Sequence, residues 1–377
     1  MKIAIDVAQT CSERAGCAWY ADTLAHTLAN YLSPSDIILY HHFGSWINQD
    51  TKDGTYIQNC QSPIASLRYE EAMSLWENIE SGNIPLPGTP DIVHSNSFMC
   101  PKIPEIPLVY TVYDSAFITH PHYTTTENQN FCKQEFGKAL KFASAFLFIS
   151  HSSYEDFITL YPTYFEQSRK PHKIAHSIPR LSPTKQAHES KTKLSPWLFV
   201  GTIEPRKNID GLLSSYEYYR QISDNPRPLV IVGGKGWMSE AYHQRLEELE
   251  QKNDLIYYGY VPDSKLIDLY EKAFALLFPS HYEGFGLPVI EAMNFSLPVI
   301  SNDIKSIQEF ASNAATFVDF NNPSEVASRM IKLESDQDAY NEQSRQSKKT
   351  ALKHDRSQTA EKVFSLYEAA IEYNNSI

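Results

Sequence analysis

Along the first half of the chain, short apolar runs alternate with stretches whose apolar positions recur at helical spacing. KIAIDV (2–7) reads as a buried strand, followed by a glycine loop and a helix from about Ala18 to Leu32. IILYHHF (37–43), DIVHS (91–95), PLVYTVYD (107–114) and FLFIS (146–150) repeat the strand pattern. Continuous apolar strands separated by helices predict a parallel sheet covered on both faces. Residues 48–90 and 115–135 carry little apolar periodicity and predict rim loops with short helices.

Around 162–196 the chain turns rich in Pro, Ser, Lys and His, which predicts an interdomain linker near 179–195. The alternation then restarts. WLFVGT (197–202), PLVIVGG (228–234), LIYYGYV (255–261), FALLFPS (274–280), LPVISN (297–302) and ATFVDF (315–320) read as strands. Helices are expected over 208–222, 239–251, 263–272 and 287–295. Two successive β-α-β runs predict an α/β protein of two Rossmann-like domains. They are residues 1–180, joined by a C-terminal helix within 357–377, and residues 195–356. That last helix shows one apolar face of Val363, Leu366, Tyr367, Ala370 and Ile371.

A length of 377 residues suits two domains, and 42% hydrophobic with 21% charged residues reads as globular and soluble. The formal charge of -12 argues against a nucleic-acid partner, which would call for a basic stripe. The five cysteines all fall within the first 132 residues, their number is odd, and no Cys-x-x-Cys occurs. Neither a disulfide framework nor a zinc site is indicated, and a reducing cytoplasm is the expected setting. The opening MKIAIDVAQT breaks at Asp6 and reads as a strand rather than a signal peptide. No apolar run reaches the roughly 18 residues of a spanning helix, so no transmembrane segment is expected.

The chemistry concentrates in HYEGFGLPVIEAM (281–293), which sets Glu283 and Glu291 eight positions apart around two glycines and a proline. A strand ends before it and a helix opens within it, with Pro288 near the favoured first position. Free backbone N–H groups around Gly286 and Leu287 then meet the positive end of a helix dipole, a setting suited to phosphate. Glu291, a turn further on, offers acceptor oxygens to the hydroxyls of a ribose. On spacing alone the segment serves equally as a tight strand–helix turn with solvated acids. A second turn, FVGTIEPRKNIDGLL (199–213), brings Arg206 and Lys207 to the carboxyl end of a strand, where a diphosphate would be met.

GTIEPRKN, LVIVGGKGW, YYGYVPDSKLIDLYEKA and FPSHYEGFGLPVIEAM together resemble the retaining, nucleotide-sugar-dependent glycosyltransferases of family 4, which have the GT-B fold of two domains facing across a cleft. KIAIDV, the loop glycine Gly16, PDIVHSN, VYTVYD and FISHSSYED extend the resemblance over nearly the whole chain in the right order. The resemblance implies that Glu283 lies beside the donor sugar and stabilises positive charge at its anomeric carbon. Phe285, Gly286 and Leu287 would offer backbone groups to sugar and phosphate, and Glu291 would hold the ribose. Arg206 and Lys207 would neutralise the leaving diphosphate. Val261 and Leu266 would line the nucleobase pocket, and Gly16 would close over the phosphates from the other domain. The EPRKN subgroup is rich in mannosyltransferases, so GDP-mannose is the favoured donor, with a UDP-sugar as the other option.

The chain also departs from the family pattern. The usual His-Asp after a strand of the first half is Tyr113-Asp114, which puts donor contact or catalytic efficiency in question. Phe295-Ser296 stands where a small residue and glycine are usual, and Gly16-Cys17-Ala18 replaces glycine-isoleucine-glycine. The asparagine-glycine expected after KIAHSI is missing. His94 ends a predicted strand toward the cleft and, with Tyr113 and Asp114, is a candidate sugar or acceptor contact. His151 and His281 read as structural or rim residues.

VIVGGKG lacks the Gly-x-Gly-x-x-Gly of a hydride-transfer cofactor. The Asp336-to-Asp338 pair sits in a charged helical region and reads as a solvated face. Neither a cofactor nor a metal is expected. The expected activity is therefore metal-independent retaining transfer of a hexose to a hydroxyl. Saccharide or lipid-linked acceptors, and peripheral attachment to an inner membrane face, are left open. A non-catalytic nucleotide-sugar binder is the alternative.

Overall fold

The computed structural model describes residues 1–11, 14–184, 192, 194–252 and 255–376; of the linker expected near 179–195, residues 185–191 and 193 lie outside them. The chain divides into two compact units, Met1–Ile178 with Asp355–Ile377, and Pro179–His354.

The first unit holds a six-stranded parallel sheet in the order β2-β1-β3-β4-β5-β6. Its strands are Ile3–Asp6 (β1), Ile37–Tyr40 (β2), Ile92–Ser95 (β3), Leu108–Val112 (β4), Ala145–Phe148 (β5) and His172–Ile174 (β6). Every residue of the first five is buried, as continuous apolar runs require when helices cover both faces. The closing helix Arg356–Ser376 packs here, against the Gly16–Tyr31 helix and β4 to β6, through Val363, Leu366, Tyr367 and Ala370.

Two segments expected as rim loops carry substantial helices. Thr126–Phe142 is a 17-residue helix capped by Thr125, whose side chain accepts from Asn128 N at 3.2 Å. Its inner face of Cys132, Glu135, Phe136 and Ala139 has helical spacing but includes an acid, which masks the pattern in the sequence. Glu135 is satisfied inside by the Cys100 amide at 3.0 Å and the Lys138 ammonium at 2.6 Å. Tyr69–Glu80 is the other, and it buries Trp76 edge-on against Tyr40 and Phe43.

The second unit repeats the plan in the order β12-β11-β10-β7-β8-β9. Its strands are Trp197–Val200 (β7), Leu229–Val232 (β8), Leu255–Tyr257 (β9), Ala275–Phe278 (β10), Val299–Asn302 (β11) and Ala315–Val318 (β12). β9 stops short of the expected 255–261 because Gly259 turns at φ +63°. From β7 the chain moves outward through β8 and β9, then returns to β7's other side as β10. The order therefore reverses between β7 and β10, and ligands of open α/β sheets bind outside the carboxyl ends at such a reversal. The β7 and β8 ends approach so closely that a Cβ on Gly233 would lie 1.8 Å from the Gly201 carbonyl oxygen.

All five cysteines are free thiols. Among the described residues, no helix is long and apolar enough to cross a membrane.

Candidate functional site

Two connections leave the sheet at this reversal. After β7 the chain makes a short 3-10 turn, Pro205–Lys207, and enters the helix Ile209–Ile222. Asn208 caps that helix from a left-handed conformation (φ 51°), its side chain accepting from Gly211 N at 3.1 Å. After β10 the chain turns through 279–286 into the helix Leu287–Asn294, with proline in its first turn. Gly286 enters that helix at φ +110°, and a Cβ there would lie 2.2 Å from Ile307 Cδ1. Only glycine meets both conditions without strain.

The two turns are joined by charge. The Glu283 carboxylate accepts from Arg206 Nη1 at 2.7 Å and from Lys207 Nζ at 2.6 Å. Arg206 also donates to Glu204 Oε1 at 2.6 Å and to the Tyr282 carbonyl at 3.0 Å. The backbone closes the join, His281 N donating to Arg206 O at 2.9 Å. Ser306 Oγ donates to the Glu283 carbonyl at 2.8 Å. Glu283 is only 8% exposed. Burial would push its carboxyl up, but the charges of Arg206 and Lys207 outweigh burial and bring it down to about 2.

Glu291 belongs to a separate ion network. It is buried in the second turn of its helix, where Arg180 Nε lies 2.9 Å from Oε1 and Tyr270 Oη donates to Oε2 at 3.2 Å. Burial raises its carboxyl above the ordinary range, with Arg180 opposing. Arg180 also donates through Nη1 to Asp263 Oδ1 at 2.6 Å. The sequence reading missed Arg180 because it lies in the Pro- and Ser-rich stretch assigned to a linker. Its flanking Ile178 and Leu181, both buried, were the available signal.

The remaining candidates fall into place individually. Phe285 is buried and its ring stacks on Phe310 at 4.8 Å. Leu287 opens its helix and is half-buried. Val261 is half-buried just before the helix Asp263–Lys272, in which Leu266 is buried. In the first unit, Gly16 begins its helix, and a Cβ there would meet nothing within 4 Å. Tyr113 is buried; its hydroxyl donates to the Asn96 carbonyl at 2.5 Å and lies 3.4 Å from that of Cys17. Asp114 accepts from Ala116 N at 2.9 Å.

One expectation is overturned. His94 does not face a cleft: it is fully buried in β3, its Nδ1 2.6 Å from Tyr367 Oη and its Nε2 2.8 Å from Thr111 Oγ1. Burial pushes its pKa down to about 3, so the ring stays neutral. It is a core histidine that ties β3 and β4 to the closing helix. Among the described residues, no group of three or more His, Cys, Asp or Glu side chains could hold a metal ion.

Comparison with known proteins bears on this site. Residues 169–350 match the family model described as Glycosyl transferases group 1. Over 246 residues the chain is 31% identical to O-antigen chain mannosyltransferase B of Escherichia coli. That match covers 64% of this chain and 64% of the relative's own length. Sucrose-phosphate synthase from Thermosynechococcus elongatus superimposes over 98% of both chains, with a TM-score of 0.71 at 16% identity. HepE of Anabaena, solved in complex with UDP and glucose, covers 97% of this chain and 98% of its own, with a TM-score of 0.68 at 14% identity. At such identities the likeness concerns fold alone: two parallel six-stranded sheets with helices, matching GT-B glycosyltransferase structures.

Proposed function

We propose that this chain, whose residues 169–350 match the glycosyl transferases group 1 family, moves a hexose from a nucleoside-diphosphate sugar to a hydroxyl acceptor, with retention and without a metal. One observation carries the reading: the Arg206–Glu283–Lys207 cluster lies at the carboxyl ends of β7 and β10, beside the N-terminus of the Leu287–Asn294 helix. The reaction must support two opposite charges at once, negative on the departing diphosphate and positive on an oxocarbenium-like sugar. Fixed cations and helix amides serve the first, and a carboxylate that stays ionised serves the second. Glu283, held near 2, is ionised at any working pH. The acceptor hydroxyl attacks from the leaving group's side and passes its proton to the departing phosphate. Glu291 holds the ribose.

Mannose is the favoured sugar, in keeping with the name of the Escherichia coli relative, which makes GDP-mannose the favoured donor. A UDP-sugar is the competing donor, since HepE was solved with UDP. A saccharide or lipid-linked acceptor fits the O-antigen relative. Five free thiols suit a cytoplasmic setting. The test is thermal shift and slow donor hydrolysis with GDP-mannose and a panel of UDP-sugars in the presence of EDTA. Stabilisation and turnover by GDP-mannose are expected. Binding without turnover would point to a non-catalytic binder, and no binding of any sugar nucleotide would end the reading.

A further inference from the structure

The Glu291 network contains a residue that the local motifs do not call for. Arg180 lies outside any helix or strand, yet its side chain is 89% buried and reaches two acids on two different helices. Its Nε meets Glu291, and its Nη1 meets Asp263 in the first turn of the Asp263–Lys272 helix. One planar guanidinium thus fixes both the acid proposed for the ribose and the start of the helix proposed for the base side. A lysine, a single point charge, could not span both in this geometry.

We infer that Arg180 is a positioning residue for nucleoside recognition, locking the Glu291 carboxylate and the start of the Asp263–Lys272 helix into one arrangement that accepts a ribose hydroxyl. The inference rests on the donor-site reading above. A carboxylate has about four lone-pair positions. Arg180 lies against Oε1, which is itself buried, and Tyr270 donates to Oε2, so the carboxylate is oriented from the protein side and a second position on Oε2 is left for a ribose hydroxyl. A lysine at 180 could pair with only one of the two acids, which would either release Asp263 or loosen Glu291. Burial already biases Glu291 toward the neutral form, which accepts less well. The diphosphate is served by different groups, Arg206 and Lys207, so an Arg180 defect must be confined to the nucleoside.

The experiment measures binding of GDP, 2′-deoxy-GDP, UDP and inorganic pyrophosphate by calorimetry to the unaltered chain and to Arg180→Lys. For the variant, the dissociation constant of whichever ribonucleotide the unaltered chain binds should rise ~10–100-fold, the scale of one charge-assisted hydrogen bond. Pyrophosphate affinity should stay within about twofold, and the preference for ribose over 2′-deoxyribose should collapse. Equal losses for pyrophosphate and nucleotide would overturn the inference, as would unchanged nucleotide affinity in a folded variant. If Arg180→Lys does not fold, Asp263→Asn, which weakens only the second anchor, should give the same nucleoside-confined loss in smaller degree; no loss there would overturn it too. Failure of the unaltered chain to bind GDP or UDP would instead defeat the donor-site reading itself.

Discussion

Replacing Glu283 by glutamine keeps the side chain's shape and removes one negative charge from between two cations. Its cost can be worked two ways. A carboxyl held at about 2 instead of its ordinary 4.5 corresponds to roughly 3 kcal/mol of folded-state preference for the ionised form. Breaking a buried ion pair by removing one partner costs roughly 3–5 kcal/mol. The second figure needs reduction here, because Arg206 keeps Glu204 and remains partly solvated. About 2–3 kcal/mol is therefore expected. For a unit of this size that lowers the midpoint by about 5–10 °C, at 2–4 °C per kcal/mol. Differential scanning calorimetry gives the midpoint, and transfer from labelled donor is then read well below it. At that temperature Glu283→Gln should lose transfer by roughly 100-fold or more while nucleoside-diphosphate binding survives, since a developing positive charge has lost its carboxylate. A midpoint shift below about 1 °C would mean that the cluster does not bind Glu283 as described. Undiminished transfer in the folded variant would remove it from the reaction.

Gly233→Ala should prevent the second unit from folding, because the clash is with backbone at 1.8 Å; soluble expression and circular dichroism test this. Gly16→Ala, which meets nothing within 4 Å, should leave the midpoint unchanged, so any loss of donor affinity would report a ligand close to that backbone. His94 supplies a pH signature. Its pKa is near 3 folded against 6.5 unfolded, so the unfolded chain binds more protons across that window. Stability then falls as pH drops below about 6.5, by up to about 1.4 kcal/mol per pH unit. His41, His42 and His172, lowered by burial too, add to this fall, and Asp6, raised to about 6, opposes it below pH 6. Denaturant titrations at pH 7, 6 and 5 should therefore show a shallower fall for His94→Gln than for the unaltered chain, at some cost in stability at pH 7. Glu283 acts in the same direction at lower pH: its contribution is complete above about pH 4.5 and disappears only as pH falls toward 2. An acid limb of activity above pH 5 would therefore belong to another group.

The parts legible in the sequence were those encoded locally. Strands buried on both faces write themselves as unbroken apolar runs, and the turn after β10 announces itself by Gly286, which the backbone cannot exchange. Features that depend on partners distant in sequence were not legible. Glu283 meets Arg206 and Lys207 across 77 and 76 positions, and no spacing rule links them. Arg180 was hidden because Pro, Ser and Lys around it resemble a linker, although its two acids lie 83 and 111 positions away. His94 failed for a related reason. A polar residue ending an apolar strand suggests a rim, and only the return of the closing helix, with Tyr367 273 positions on, makes it core.

The pairing of acid with cations changes how the site must work. Glu204 and Glu283 balance Arg206 and Lys207, so this cluster carries no formal net charge and offers a diphosphate little attraction as it stands. The adjacent helix N-terminus supplies about half a positive charge, which helps a phosphate dock but falls short of two negative charges. On the proposed reading, the diphosphate and Glu283 compete for the same Nη1 and Nζ protons. As the glycosidic bond lengthens, charge grows on the phosphate and draws Arg206 and Lys207 toward it. Glu283, losing its partners, becomes more negative in effect just as the anomeric carbon becomes positive. An ion pair poised to divide in this way would stabilise both developing charges by the same small movement, which neither a free cation pair nor an isolated acid could do.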